Sequence, residues 1–154
     1  MKKIAFIGEN KIANPQHIKK KLTKIIEKEI NNGSTYFVSV LNGDFDMLAV
    51  SICTAFKQKI KEIDIEVVFE NFNEFKDFDE KQKLKNFSLS KYVSAVFYTL
   101  DFSNNQNSPL LTYIKMLDSS DMLICYINKK HNSSDIAYAL SYAKILGLKV
   151  VNLF

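Results

Sequence analysis

The stretch MLICYINKKHNSSDIAYALSYAKILGLKVVNLF, residues 122–154, decides how the chain is read. Met122 to Ile127 is an apolar run of strand length. Ser134 to Leu146 then carries apolar residues at helical spacing, with Ser133 or Ser134 as an N-cap and Gly147 as the C-terminal stop. A second apolar run, Lys149 to Phe154, follows at once. A strand, a helix and a strand joined by short loops make a βαβ unit, whose two strands run parallel.

Working outward, the same alternation recurs. KKIAFIG (2–8) reads as a short buried strand ending at Gly8. Asn14-Pro15 offers an N-cap and a first-turn proline, and Ile18, Leu22, Ile25, Ile26 and Ile30 follow at helical spacing up to Gly33. STYFVSV (34–40) is a second strand. Asn42-Gly43-Asp44 opens a second helix, whose apolar face is expected to carry Leu48, Ile52, Phe56 and Ile60, and DIEVVFE (64–70) is a third strand. Between Asn71 and Asn107 the pattern weakens to an irregular excursion, with a short helix expected near Lys81 to Lys85 and with YVSAVFY (92–98) readable as strand or helix. Ser108-Pro109 then starts a helix that runs to Leu117.

Strands alternating with helices at this spacing imply an α/β, Rossmann-like three-layer sandwich, with a mostly parallel central sheet of about five strands and one short extra edge strand. Ligands in such sheets sit beyond the carboxyl ends of the strands, where the strand order reverses. That directs attention to three loops: Gly8 to Asn14, Asn42 to Asp46, and Asn128 to Asp135.

At 154 residues the chain reads as a single domain, residues 1–154. A chain of this length buries roughly 70% of the surface it exposes when unfolded, enough for a core without staples. Cys53 and Cys125 fall inside apolar patterns and read as buried structural thiols. The two histidines and two cysteines have no metal-ligand spacing, and no Walker loop or Gly-x-Gly-x-x-Gly is present. Neither a metal nor a cofactor is expected. The formal charge of +4 comes from lysine alone, since the 21 basic residues include no arginine. Arginine's planar fork is the usual device for gripping phosphates and guanine edges, so specific nucleic-acid readout is disfavoured. No stretch approaches the ~20 apolar residues of a membrane helix, and the expected location is cytoplasmic.

Three fragments carry a family resemblance: IAFIGEN at the start, YFVSVLNGDFDMLA in the second unit, and MLDSSDMLICYINKKHNSSDIAYALSYAKILGLKVVNL at the end. Together they resemble the SLOG superfamily of Rossmann-like proteins, which includes the LOG phosphoribohydrolases and the DNA-processing proteins, and most of all its small stand-alone bacterial members. Residues 71–107 align poorly. Asn42-Gly43-Asp44-Phe45-Asp46 keeps the family's second element well, and Gly8 keeps the glycine after the first strand. The His and Arg that usually follow that glycine are Glu9 and Asn10 here, and the family's Gly-Gly loop becomes Ser133-Ser134 or Ser134-Asp135.

The resemblance implies a site for a nucleotide or nucleotide-derived molecule, made by Gly8, Glu9, Asn10, Asn42, Gly43, Asp44, Asp46, Asn128, Lys129, Ser133, Ser134 and Asp135. Read from the residues, the Lys129, Lys130 and His131 charges near a helix N-terminus favour an anion. Equally, Ser133 or Ser134 caps the helix while the basic residues are solvated. Asp44 and Asp46 could accept from ribose hydroxyls, or Asp44 could be an N-cap and Asp46 a first-turn acid stabilised by the helix dipole. His17 reads as a surface residue. The family's hydrolases place a glutamate early in the helix after the phosphate loop, whereas Ile136 to Phe154 contain no acid at all. Non-catalytic binding, as a sensor or sequestering domain, is therefore the expectation. An N-glycosidic hydrolase or transferase using Glu9, or Asp44 or Asp46 of the second loop, is the first alternative, and a scaffold with a decayed pocket is the second. A homo-oligomer is expected through the 134–146 helix, because Tyr138, Tyr142 and Ile145 exceed what one buried stripe needs.

Overall fold

The computed structural model describes residues 2–69, 72–84, 91–97, 109–130 and 134–154. Its elements follow in the order β1 (Lys3–Gly8), α1 (Pro15–Asn31), β2 (Tyr36–Ser39), α2 (Asp44–Lys57), β3 (Asp64–Phe69), α3 (Phe72–Leu84), β4 (Ser94–Phe97), α4 (Pro109–Asp118), β5 (Met122–Tyr126), α5 (Asp135–Ile145) and β6 (Lys149–Asn152). The expected α/β sandwich is present, and among the described residues its sheet has six strands, all parallel. The sixth is β4, so within YVSAVFY the residues Ser94–Phe97 form a strand. Within the excursion α3 is longer than the short helix expected near Lys81 to Lys85, while residues 71, 85–90 and 98–107 lie outside the described residues.

The sheet order β4-β3-β2-β1-β5-β6 shows how the chain winds. It steps outward from β1 to β4, then returns across the sheet to place β5 beside β1. Right-handed crossovers in one direction put their helices on one face, and reversing the direction puts them on the other. Accordingly α1, α2 and α3 pack on one face while α4 and α5 pack on the opposite face. The switch point lies between the carboxyl ends of β1 and β5.

β1 is the centre of both cores because its residues are apolar on both sides. Ile4 and Phe6 point toward the α1 and α2 layer and Ala5 and Ile7 toward the α4 and α5 layer, all four without exposed surface. Phe6 stacks on Phe37 of β2, with ring centroids 5.9 Å apart. α1 buries Ile18, Leu22 and Ile26 as its periodicity predicts. On α2 the expected face is rotated. Phe45, Ala49, Ile52 and Cys53 are buried, whereas Leu48 and Phe56 lie half-buried at the margin and Ile60, also half-buried, falls beyond the end of the helix. The reason is local, since Phe45 enters the core over Gly8, which has no side chain to oppose it.

Cys53 and Cys125 are free and buried, and burial pushes both thiols well up, that of Cys125 to about 12. Glu29 near the end of α1 is buried between two lysines, at 2.6 Å from Lys2 Nζ and 3.1 Å from Lys149 Nζ. The Lys2 ammonium is the main cause holding this carboxyl below its ordinary range. The clamp fastens α1 to the amino-terminal edge of the sheet, at the end opposite the switch point. Among the described residues no helix is long and apolar enough to cross a membrane.

Candidate functional site

Beyond the switch point lies an open cleft of about 490 Å³, lined by Gly8, Glu9, Asn10, Asn42, Pro109, Tyr113, Ser134, Asp135 and Ile136. All three loops singled out from the sequence reach it.

The first loop is held from both sides. The Glu9 N–H continues the sheet ladder by donating to the Tyr126 carbonyl at 3.0 Å, and the Tyr126 hydroxyl accepts from the Ala13 N–H. Glu9 sends its carboxylate across the switch point, where Oε1 accepts from the Asn128 N–H at 3.4 Å. Asn128 thus serves the cleft from behind, through Glu9.

First and second loops are clamped backbone to backbone. The Asp44 N–H donates to the Asn10 carbonyl at 3.0 Å, and a Cβ added to Gly43 would stand 2.5 Å from Asn10 Cα. A Cβ on Gly8 would stand 2.4–2.5 Å from the Phe45 side chain. Both glycines are therefore required by close approach, and neither by a left-handed backbone. Left-handed conformation falls instead on Asn14 (φ 51°), which caps α1 without a side-chain hydrogen bond, and on Leu41 (φ 55°), the residue before Asn42.

The two aspartates separate sharply. Gly43 is the N-cap of α2, so Asp44 is the first helical residue, exposed to solvent, and does not cap. Asp46, in the first turn, is fully buried; its Oδ2 accepts from the Asn42 N–H at 2.9 Å, while Oδ1 has no hydrogen-bond partner among the described residues. Burial, only partly offset by the hydrogen bond from the Asn42 amide, raises its carboxyl from the ordinary 3.8 to about 7. Asp46 lies beneath the second loop and does not line the cleft, so direct contact with ribose hydroxyls is not its geometry. It positions Asn42, as an acid reaching back from the first turn does in a capping box.

Asn42 is held a second time from the opposite layer. Its Nδ2 donates to the Tyr113 hydroxyl at 2.9 Å, and burial pushes that phenol up to about 12. The contributions of Pro109, Tyr113 and Ile136 were not anticipated from the sequence. Tyr113 follows Pro109 by four residues and so shares its helix face. Which way that face points depends on the return crossover to β5, and no local pattern encodes that.

The third loop arrives through the start of α5. Ser134 is its N-cap, with Oγ accepting from the Ala137 N–H at 3.2 Å, and Asp135 is the first-turn acid. Ser133 and His131 lie outside the described residues. Lys129 is not brought to this cleft, and lines a separate groove with Tyr138, Leu140 and Lys144. His17 is exposed on α1. Among the described residues no cluster of three or more His, Cys, Asp or Glu could hold a metal ion.

Chemically, the cleft offers acceptors from two carboxylates, Glu9 and Asp135, together with the amides of Asn10 and Asn42. Tyr113 and Ile136 add apolar surface. No protein-family model and no curated protein matches this chain, so the chemistry of the cleft itself carries the functional reading.

Proposed function

We propose that the protein is a SLOG-type domain that binds a nucleotide-derived small molecule in this cleft and holds it without turnover, as a sensor or sequestering protein. One observation supports this above the others. The loops after β1 and β2 and the start of α5 converge on a single cleft beyond the β1–β5 switch point, with a volume in the range of small-molecule sites. The experiment is a thermal-shift screen of nucleosides and nucleotides, followed by titration calorimetry. Binding should weaken severalfold in Tyr113→Phe, which removes the acceptor of Asn42 Nδ2 at a stability cost of about 1 kcal/mol. Absence of any stabilising compound would favour the decayed-pocket scaffold.

A second reading rests on Glu9 and Asp135 facing the same cleft. Paired carboxylates are what N-glycosidic cleavage requires, one to act on the ribose and one to manage the proton. Release of free base on incubation with the bound compound would establish it, and recovery of the compound intact would exclude it.

We also propose self-association through α5. Tyr138 is 55% and Ile145 81% exposed, and Leu111 of neighbouring α4 is 42% exposed. Tyr142 does not join them, since it is half-buried with its hydroxyl on Asp118. Sedimentation at micromolar concentration should give a dimer or larger species, which Ile145→Glu should dissociate. A wild-type monomer would refute the assembly.

A further inference from the structure

The cleft is polar, yet its described lining includes two acids and no lysine. This is unexpected in a chain with a net charge of +4 and 21 lysines. Its charge distribution follows from where the loops fall. Lys129, on the very loop that approaches the switch point, lines the other groove beside Lys144. Glu9 directs its carboxylate to the Asn128 amide at 3.4 Å, and Asp135 occupies the first turn of α5. Those are the two places where a switch-point site usually offers donors to a ligand phosphate: the loop amides after the strand and the amino end of the next helix. Here the Glu9 carboxylate accepts at the first, and at the second the Ser134 hydroxyl caps the helix with the Asp135 charge in its first turn.

We propose that the cleft takes a nucleoside and discriminates against its phosphorylated forms. This rests on the reading of the cleft as a site for a nucleotide-derived molecule. A nucleoside is uncharged and presents ribose hydroxyls, and in most cases a base amino group, as donors. Carboxylate oxygens and the amide oxygens of Asn10 and Asn42 are the matching acceptors. A triphosphate carries several negative charges into a cleft holding two more, in a partly shielded setting where each repulsion counts for more than in bulk water.

The test is titration calorimetry of the full chain with adenosine, guanosine, cytidine and uridine, each beside its 5′-monophosphate and 5′-triphosphate. At least one nucleoside should bind, and its triphosphate should bind about tenfold or more weakly at low salt. The gap should narrow in 0.5 M salt, about where screening shortens to a few ångströms. It should also narrow in the double variant Glu9→Gln and Asp135→Asn. A triphosphate that binds as tightly as its nucleoside, or more tightly, overturns the inference and leaves the site assignment standing. Failure of every nucleoside and nucleotide to bind overturns the site assignment, and the inference with it.

Discussion

Replacing Gly8 with alanine should lower the stability of the fold by about 2–3 kcal/mol, among the larger effects of adding one methyl group to a packed interior. The added carbon would meet Phe45 Cβ and Cγ at 2.5 Å and Cδ1 at 2.4 Å. Because Cβ and Cγ lie next to the backbone of α2, no rotation of the ring relieves the contact. Either the start of α2 or the end of β1 must move. The ring is itself fixed by stacking on Tyr126, at 6.1 Å between centroids. For a chain of this size the loss corresponds to a melting temperature lower by roughly 5–10 °C. Gly147 provides the control. It has a left-handed φ of 76° and open space around its Cα, so Gly147→Ala should cost only about 1 kcal/mol from backbone strain. Equal melting temperatures for wild type and Gly8→Ala would show that the β1–α2 contact is looser than these distances state. The same variant should also impair the cleft, because the displaced α2 start carries the residues clamped to Asn10.

The second large effect is a dependence of stability on pH that originates at Asp46. Its folded carboxyl titrates near 7 and its unfolded one near 3.8, so between these values the folded state holds a proton that the unfolded state has released. Stability then falls as pH rises through this window and is highest below it, the opposite of the usual carboxylate. Across roughly three pH units, at about 1.4 kcal/mol per unit, the loss approaches 4 kcal/mol. Glu29 acts in the other direction and in a lower window. Its lowered carboxyl contributes stability that is lost only as pH falls below its ordinary value of 4.5. Urea denaturation at pH 5 and pH 8 should therefore show wild type less stable at pH 8, and Asp46→Asn should remove most of the difference. Asparagine keeps an oxygen for the Asn42 amide without the buried charge. A difference between the two pH values that survives in Asp46→Asn would assign it to another group. Since the same carboxyl positions Asn42, ligand affinity should also respond to pH over this range.

Outside residues 71–107, local sequence determined the elements and their order. Ile18, Leu22 and Ile26 recur at helical spacing and are buried on one face of α1, and Met122 to Ile127 is a continuous apolar run buried on both sides. Ser134 caps α5 where it was expected, with the left-handed Gly147 just past its end. Periodicity and caps are properties of neighbouring residues, so they can be read without knowing the fold. The three loops of the cleft were legible for a related reason: alternating strands and helices imply a parallel sheet, and a parallel sheet puts those loops at one end. Tertiary structure alone decided what each loop residue does there. Asp44 and Asp46 are two positions apart and chemically alike, yet one is exposed and the other fully buried, because Phe45 between them turns α2 into the core over Gly8. Tyr113 reaches Asn42 only because the chain crosses back from β4 to β5 and lays α4 on the far face of the sheet. Lys129 leaves the cleft and Glu9 enters it by the same rule. A side chain's direction is a local matter, but what it meets is set by segments more than a hundred residues away, as with Glu9 and Asn128.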